Sequence, residues 1–199
     1  MSIQNILLVY NMATPEEIAE GIMWYRKAYL DCRKIGITHM VSTHTVVGVV
    51  SALSPNNKWE RNIVNADELI GAYINGDGIY SIKVSTYHKM KEKAWSILWK
   101  MPTKDEVMTI LNGQKITCFF QSIMGDDVCT VDGHARNIYY GQREGLTDPK
   151  TNIGKKEYAM IQQAYIDAGK RIKVNGQHLK AYEIQAITWV VWRRIHGIK

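Results

Sequence analysis

Apolar residues at Ile116, Phe119, Phe120 and Ile123 recur at helical spacing, and Gly125-Asp126-Asp127 stops the pattern. The segment from Leu111 to Ile138 therefore reads as a turn, a helix with one buried face, a second turn and a new helix. Val128-Cys129-Thr130-Val131 leads the chain inward, and Asp132 stands at the N-cap position before Gly133-His134-Ala135-Arg136. A carboxylate there accepts hydrogen bonds from free backbone N–H groups at the positive end of the helix. Such an acid is either a structural cap or a catalytic group.

Most of the remaining chain repeats the helical period. Thr14-Pro15-Glu16-Glu17 is a helix start, with Thr14 as cap, Pro15 in the first turn and Glu17 closing a capping box. That helix should end by Gly36 and bury Trp24 and Tyr25. Thr45 to Leu53 is a short apolar run whose valines favour a strand, while Gly48, Ser51 and Ala52 suit close helix packing; periodicity does not decide between them. Helices are expected over Trp59–Ile74, Ser85–Lys100, Asp105–Leu111, Lys155–Arg171 and Leu179–His196, with surface loops at Asn75–Gly78 and from Gln142 to Gly154. The expected total is nine or ten helices, with any strands short.

Two polar features interrupt this pattern. Ser54-Pro55-Asn56-Asn57 places neighbouring amides between two apolar helices, where they are either turn chemistry or readers of base and sugar edges. Lys89, Lys91 and Lys93 form either a solvated face or a phosphate-facing one. In the last helix, Trp189 and Arg193 either clamp a nucleic acid or close a seam of the fold.

Charge narrows the partners. The 199 residues carry 25 Lys+Arg against 19 Asp+Glu, a formal net charge of +6, which suits an anionic partner such as nucleic acid. Three widely spaced cysteines, Cys32, Cys118 and Cys129, form neither a disulfide framework nor a metal cluster and point to a reducing cytoplasm. The apolar run Ile3 to Val9 is too short to span a membrane and lacks a signal-peptide pattern, so a cytoplasmic protein without membrane partner is expected.

Several motifs in order resemble the helix-hairpin-helix DNA glycosylase superfamily, with its endonuclease III-like fold. The family carries L-P-G-V-G-x-K-T-A, a helix, then V-D-T-H. Leu111-Asn112-Gly113-Gln114-Lys115-Ile116-Thr117 resembles the first part and Val131-Asp132-Gly133-His134 the second, at a similar separation. Upstream, Val49 to Asn57 resembles the family's helix ending in L-S-A-Q-x-T, and Lys89 to Ala94 its K-A segment. The match runs from about Thr45 to Tyr140. The flanking helices resemble those of phage-encoded relatives of the fold, for which the host cytoplasm would be the location.

The resemblance implies an all-α, two-lobe architecture as a single glycosylase-like domain over residues 1–199. Lobe one would cover approximately 45–131, and lobe two the N-terminal helix with 132–199, the active-site cleft lying between them. It implies base flipping and cleavage of an N-glycosidic bond, with Asp132 opposing the oxocarbenium-like charge. Lys115 falls where some members place a Schiff-base lysine, which implies an associated lyase step. Asn56, Asn57, Trp59, Gln114, Gln121, His134, Gln185, Trp189 and Arg193 are the candidate substrate and DNA contacts. No cofactor and no metal is expected, and the family's iron–sulfur cysteines are absent. The second glycine of the hairpin is missing too, which removes part of the backbone cradle for phosphate. The partner is accordingly duplex or single-stranded DNA, or a free nucleoside. Two other functions stay open: nucleoside cleavage or phage thymine hypermodification on the same fold, and a catalytically silent nucleic-acid-binding or anti-defence protein.

Overall fold

The computed structural model describes residues 2–145 and 152–198, so the expected loop from Gln142 to Gly154 lies partly outside the described residues. The protein is all-α. Its described elements are α1 (Ser2–Tyr10), α2 (Pro15–His39), α3 (Thr43–Leu53), α4 (Trp59–Ile74), a short 3-10 turn (Ile79–Ser81), α5 (His88–Lys100), α6 (Lys104–Leu111), α7 (Gln114–Ile123), α8 (Gly133–Tyr140), α9 (Lys155–Gly169), β1 (Lys173–Val174), β2 (Gln177–His178) and α10 (Ala181–Ile195). Among the described residues no single helix is long and apolar enough to cross a membrane. The chain divides into two compact units: a terminal unit, Met1–Arg26 with Gly125–Lys199, and a central unit, Lys27–Met124.

The central unit is built on α3. Every residue from Thr45 to Leu53 is buried, which is why no single apolar stripe appears in its sequence. The valines are overruled by packing: a Cβ on Gly48 would lie 2.8 Å from Val107 Cγ1, so the helices approach where only glycine fits. Ser42 caps this helix, accepting from the Thr45 N–H at 3.3 Å. Thr103 and Glu106 close the capping box of α6 in both directions.

The end of α2 and the start of α5 differ from the sequence expectation. Helix α2 passes through Gly36 to His39, because Gly36 serves close packing: its Cβ would meet the Val41 carbonyl oxygen at 2.6 Å. Met40, at φ 54°, takes the left-handed position instead, and the Val41 N–H returns to the Gly36 carbonyl at 2.9 Å. Helix α5 begins at His88 rather than Ser85. Ser85 and Thr86 are held in the preceding loop, the first donating its N–H to Asn65 Oδ1 at 2.9 Å and the second its hydroxyl to the Pro55 carbonyl at 2.7 Å.

The terminal unit packs α1, α8, α9 and α10 around Ile6, Ile138, Ile161, Tyr165 and Ile184, all fully buried. Each aliphatic side chain buried this way contributes about 1.5–3 kcal/mol. Gly21 lets α2 cross α10 closely, since a Cβ there would lie 2.4 Å from Ile187 Cγ1. The capping box at the start of α2 forms as its sequence suggests, with Thr14 N–H to Glu17 Oε2 at 2.9 Å and Glu17 N–H to Thr14 Oγ1 at 3.2 Å. Helices α9 and α10 are shorter than expected, ending at Gly169 and starting at Ala181. An antiparallel hairpin fills the interval, turned by Asn175 and Gly176 at φ 51° and 81°.

Candidate functional site

Asp132 caps α8 in the terminal unit. Its Oδ1 accepts the Ala135 N–H at 2.8 Å, and its backbone is extended, so the side chain faces the first turn of the helix. The residue is half-buried. The approach to it is held by α9, whose Tyr158, Gln162 and Tyr165 lie on one face at helical spacing. The Val131 N–H donates to Tyr158 Oη at 3.0 Å, and Gln162 Nε2 donates to the Cys129 carbonyl at 3.0 Å. These bonds fix the extended segment that delivers the carboxylate.

The far end of that segment is fixed as well. After Gly125, at φ 90°, Asp127 Oδ1 accepts the Ala181 N–H at 2.8 Å, at the start of α10. Lys180 Nζ donates to the Gly125 carbonyl at 2.8 Å. Behind Asp132, Arg136 bridges Glu157 at 2.8 Å and pairs with Glu144, while Asn137 Nδ2 donates to the Glu144 carbonyl at 2.8 Å. The carboxylate therefore sits on a rigid base.

Tyr165 is the unexpected neighbour. Its side chain is fully buried, and its oxygen lies against the Thr188 hydroxyl without meeting hydrogen-bond geometry. Thr188 donates instead to the Ile184 carbonyl at 2.8 Å. Burial pushes the Tyr165 phenol well above its ordinary range; the nearby Thr188 hydroxyl opposes the shift, and Cys129 and Asp132 add to it. The phenol stays protonated, a buried donor in the same unit as Asp132. Helical periodicity alone puts Tyr165 on the buried face of its helix and gives Thr188 no role. The only signal was a pair of hydroxyls on otherwise apolar helix faces.

The terminal unit also holds four of the other candidates. His134 is buried and packs edge-on against Trp189, ring centroids 6.2 Å apart, and the Arg193 guanidinium lies 4.4 Å from the Trp189 centroid. The half-buried Trp189 and Arg193 thus extend from the residue two places after Asp132. Gln185 is buried, and its Oε1 accepts from Tyr25 Oη at 3.3 Å.

The remaining candidates belong to the central unit. Asn56 is exposed at φ 55° and donates to Tyr87 Oη. Asn57 Nδ2 faces the Leu53 carbonyl at 3.3 Å and Asn65 Oδ1 at 3.4 Å. Trp59 Nε1 donates to Asp31 Oδ2 at 3.3 Å, and its ring meets Phe119 edge-on. Gln121 is half-buried; Gln114 and Lys115 are exposed in the first turn of α7. Helices α6 and α7 are joined by Asn112, at φ 39°, and Gly113 alone. Of Lys89, Lys91 and Lys93 only Lys89 is exposed; Lys91 donates to the Ile82 carbonyl and Lys93 to the Leu111 carbonyl. Burial lowers the pKa of Lys91, and burial followed by the Lys89 charge lowers that of Lys93. Among the described residues no group of three His, Cys, Asp or Glu side chains could hold a metal ion, and all three cysteines are buried.

No curated protein and no solved structure matches the chain. One family model does, described as "Family of unknown function (DUF7178)", and it covers residues 1–196. With nearly the whole sequence matched, the chain belongs to the DUF7178 family.

Proposed function

We propose that the protein is a DNA N-glycosylase-like enzyme with Asp132 as its essential carboxylate, acting on a flipped, modified or damaged base. The observation that carries this reading is the Asp132 geometry: one carboxylate oxygen is bound by the Ala135 N–H at 2.8 Å, on a segment tied down by Tyr158, Gln162 and Asp127. A fixed negative charge of this kind opposes the positive charge that develops on a sugar as its N-glycosidic bond breaks, and it orients the attacking water. Trp189, with Arg193 over its ring and His134 at its edge, offers an aromatic face for the extruded base. The sequence match at Val131-Asp132-Gly133-His134 supports the same role.

The chemistry assigned to the chain is limited. The attacking water adds to the anomeric carbon, the base leaves with the bonding electrons and ends with the proton the water loses, and Asp132 stabilises the intervening charge. The test is mass spectrometry of bases released from unmodified and phage-modified DNA by the wild type and by Asp132→Asn. Release that vanishes in the variant supports the reading. Salt-dependent DNA binding without release in either protein would instead favour a catalytically silent binding protein.

One observation favours a second substrate. The two-residue connection between α6 and α7 is short for a phosphate-holding hairpin, which suits a nucleoside or a hypermodified nucleotide rather than duplex DNA. Parallel assays on duplex DNA, single-stranded DNA and free nucleosides separate the two substrates. A lyase step through Lys115 requires a Schiff base; borohydride trapping of a protein–DNA adduct that disappears in Lys115→Ala tests it.

A further inference from the structure

The hairpin between α9 and α10 has no counterpart among the features that suggested a function. The segment Lys170 to Lys180 contains Lys170, Arg171, Lys173 and Lys180 and no acidic residue. Lys180 is engaged with the Gly125 carbonyl at 2.8 Å and the Tyr182 ring, and Lys170 lies 3.7 Å from Asp167. Arg171 and Lys173 are exposed, and among the described residues neither pairs with a carboxylate. Lys173 and His178 are cross-strand partners, so they share one face of the ribbon, while Val174 pairs with Gln177 on the other.

The ribbon is rigidly mounted. A Cβ on Gly169 would fall 2.3 Å from the Leu179 carbonyl oxygen, so the root of the hairpin closes directly onto the end of α9. The Leu179 N–H donates to the Ile172 carbonyl at 3.2 Å, and the Leu179 side chain is buried. The Asn175-Gly176 turn, with both residues at positive φ, matches the twist of a two-residue hairpin. Exposed Asn175 and Gln177 place amide donors and acceptors at the tip.

We infer that this hairpin is a duplex-nucleic-acid contact, with Arg171 and Lys173 on backbone phosphates and the Asn175–Gln177 tip entering a groove. A two-stranded ribbon fits a duplex groove, and amides at its tip read base edges there. The tip carries no apolar residue to enter a lipid surface, and the hairpin carries no Trp, Tyr or Phe on which single-stranded bases would stack. This contact deepens the DNA reading of the Asp132 segment, and it supplies phosphate binding that the two-residue α6–α7 connection is too short to provide. It is scored by binding alone, so it stands or falls independently of base release.

The experiment measures fluorescence anisotropy of the full chain on a labelled unmodified duplex across a salt titration, in the Asp132→Asn background so that no substrate is consumed. The double variant Arg171→Ala/Lys173→Ala is expected to bind roughly 10- to 30-fold more weakly at about 100 mM salt, with the log–log salt slope flattened by about two. Arg171→Lys/Lys173→Arg should restore both values, and Lys173→Gln alone should flatten the slope by about one. Unchanged duplex affinity and slope in the double variant, with its melting temperature intact, would overturn the proposal. So would loss of binding to phosphatidylserine vesicles with duplex affinity preserved, which would assign the hairpin to a membrane surface. Base release that persists in Asp132→Asn would remove Asp132 from the chemistry while leaving this proposal in place.

Discussion

Two polar breaks interrupt the helices, and they use their polar groups differently. In the central unit, Asn57 spends its amide on the Leu53 carbonyl and on Asn65, and Asn65 Oδ1 in turn receives the Ser85 N–H. Asn62 Nδ2 donates to the Val50 carbonyl at 3.0 Å. Each of these amides satisfies carbonyls near the end of α3 or pins the loop before α5. In the terminal unit the backbone around Cys129 to Val131 is satisfied by α9, and Asp132 contributes a single cap bond through Oδ1. Tyr165, in the same unit, keeps its side-chain oxygen out of the hydrogen-bond network. Both breaks leave buried polar atoms unused, Asn62 Oδ1 and Asn65 Nδ2 in the central unit and Tyr165 Oη in the terminal one, but of the two only the terminal break sets a carboxylate at a helix N-cap.

That comparison can be broken at three points, taken from the largest effect on stability to the smallest. Asn65→Ala should destabilise the protein by about 1–3 kcal/mol, because it removes a fully buried amide that accepts the Ser85 N–H and faces Asn57. Denaturant unfolding measures the loss, and a change below about 0.5 kcal/mol would mean that the amide network is not what holds this loop. Asp132→Ala should cost about 1 kcal/mol, the usual worth of an N-cap, whereas Asp132→Asn should cost much less because asparagine caps equally well. An Asn variant as unstable as the Ala variant would show that the charge, rather than the cap, supports α8.

Tyr165→Phe should be close to neutral at pH 7, since no good hydrogen bond is lost. Its signature lies at high pH. Burial raises the folded-state pKa of Tyr165 above its ordinary value of 10.0. Its contribution is therefore fully present below pH 10 and is lost as pH rises from there toward the folded value, because only the unfolded chain releases the proton. Melting temperatures between about pH 9 and 11 should fall more steeply for the wild type than for Tyr165→Phe. Parallel curves would place the phenol in contact with solvent.

The sequence was most informative where local chemistry decides the outcome. The capping pair Thr14–Glu17, the N-cap at Asp132 and the small residue Gly48 each act within a few residues or at one close crossing. It was silent where tertiary contacts overrule local preference. The valines of α3 are helical because the whole segment is enclosed. Ser85 and Thr86 stay out of α5 because Asn65 and Pro55 hold them. The hairpin at Lys173 to His178 fell in the interval left unassigned between two expected helices, although Asn175-Gly176 is a hairpin signal in its own right. At the candidate site Asp132 was readable from its position and motif. Tyr165 and Thr188 were not, since a hydroxyl on an apolar face shows its use only when its neighbours are in place.

The most direct test of the central claim is base release measured side by side for the wild type and Asp132→Asn. With the cap preserved and unfolding unchanged, release by Asp132→Asn should fall by about a thousandfold or more, the scale expected when a fixed charge opposing the transition state is removed. Equal release by the two proteins would reduce Asp132 to a helix cap and contradict the account.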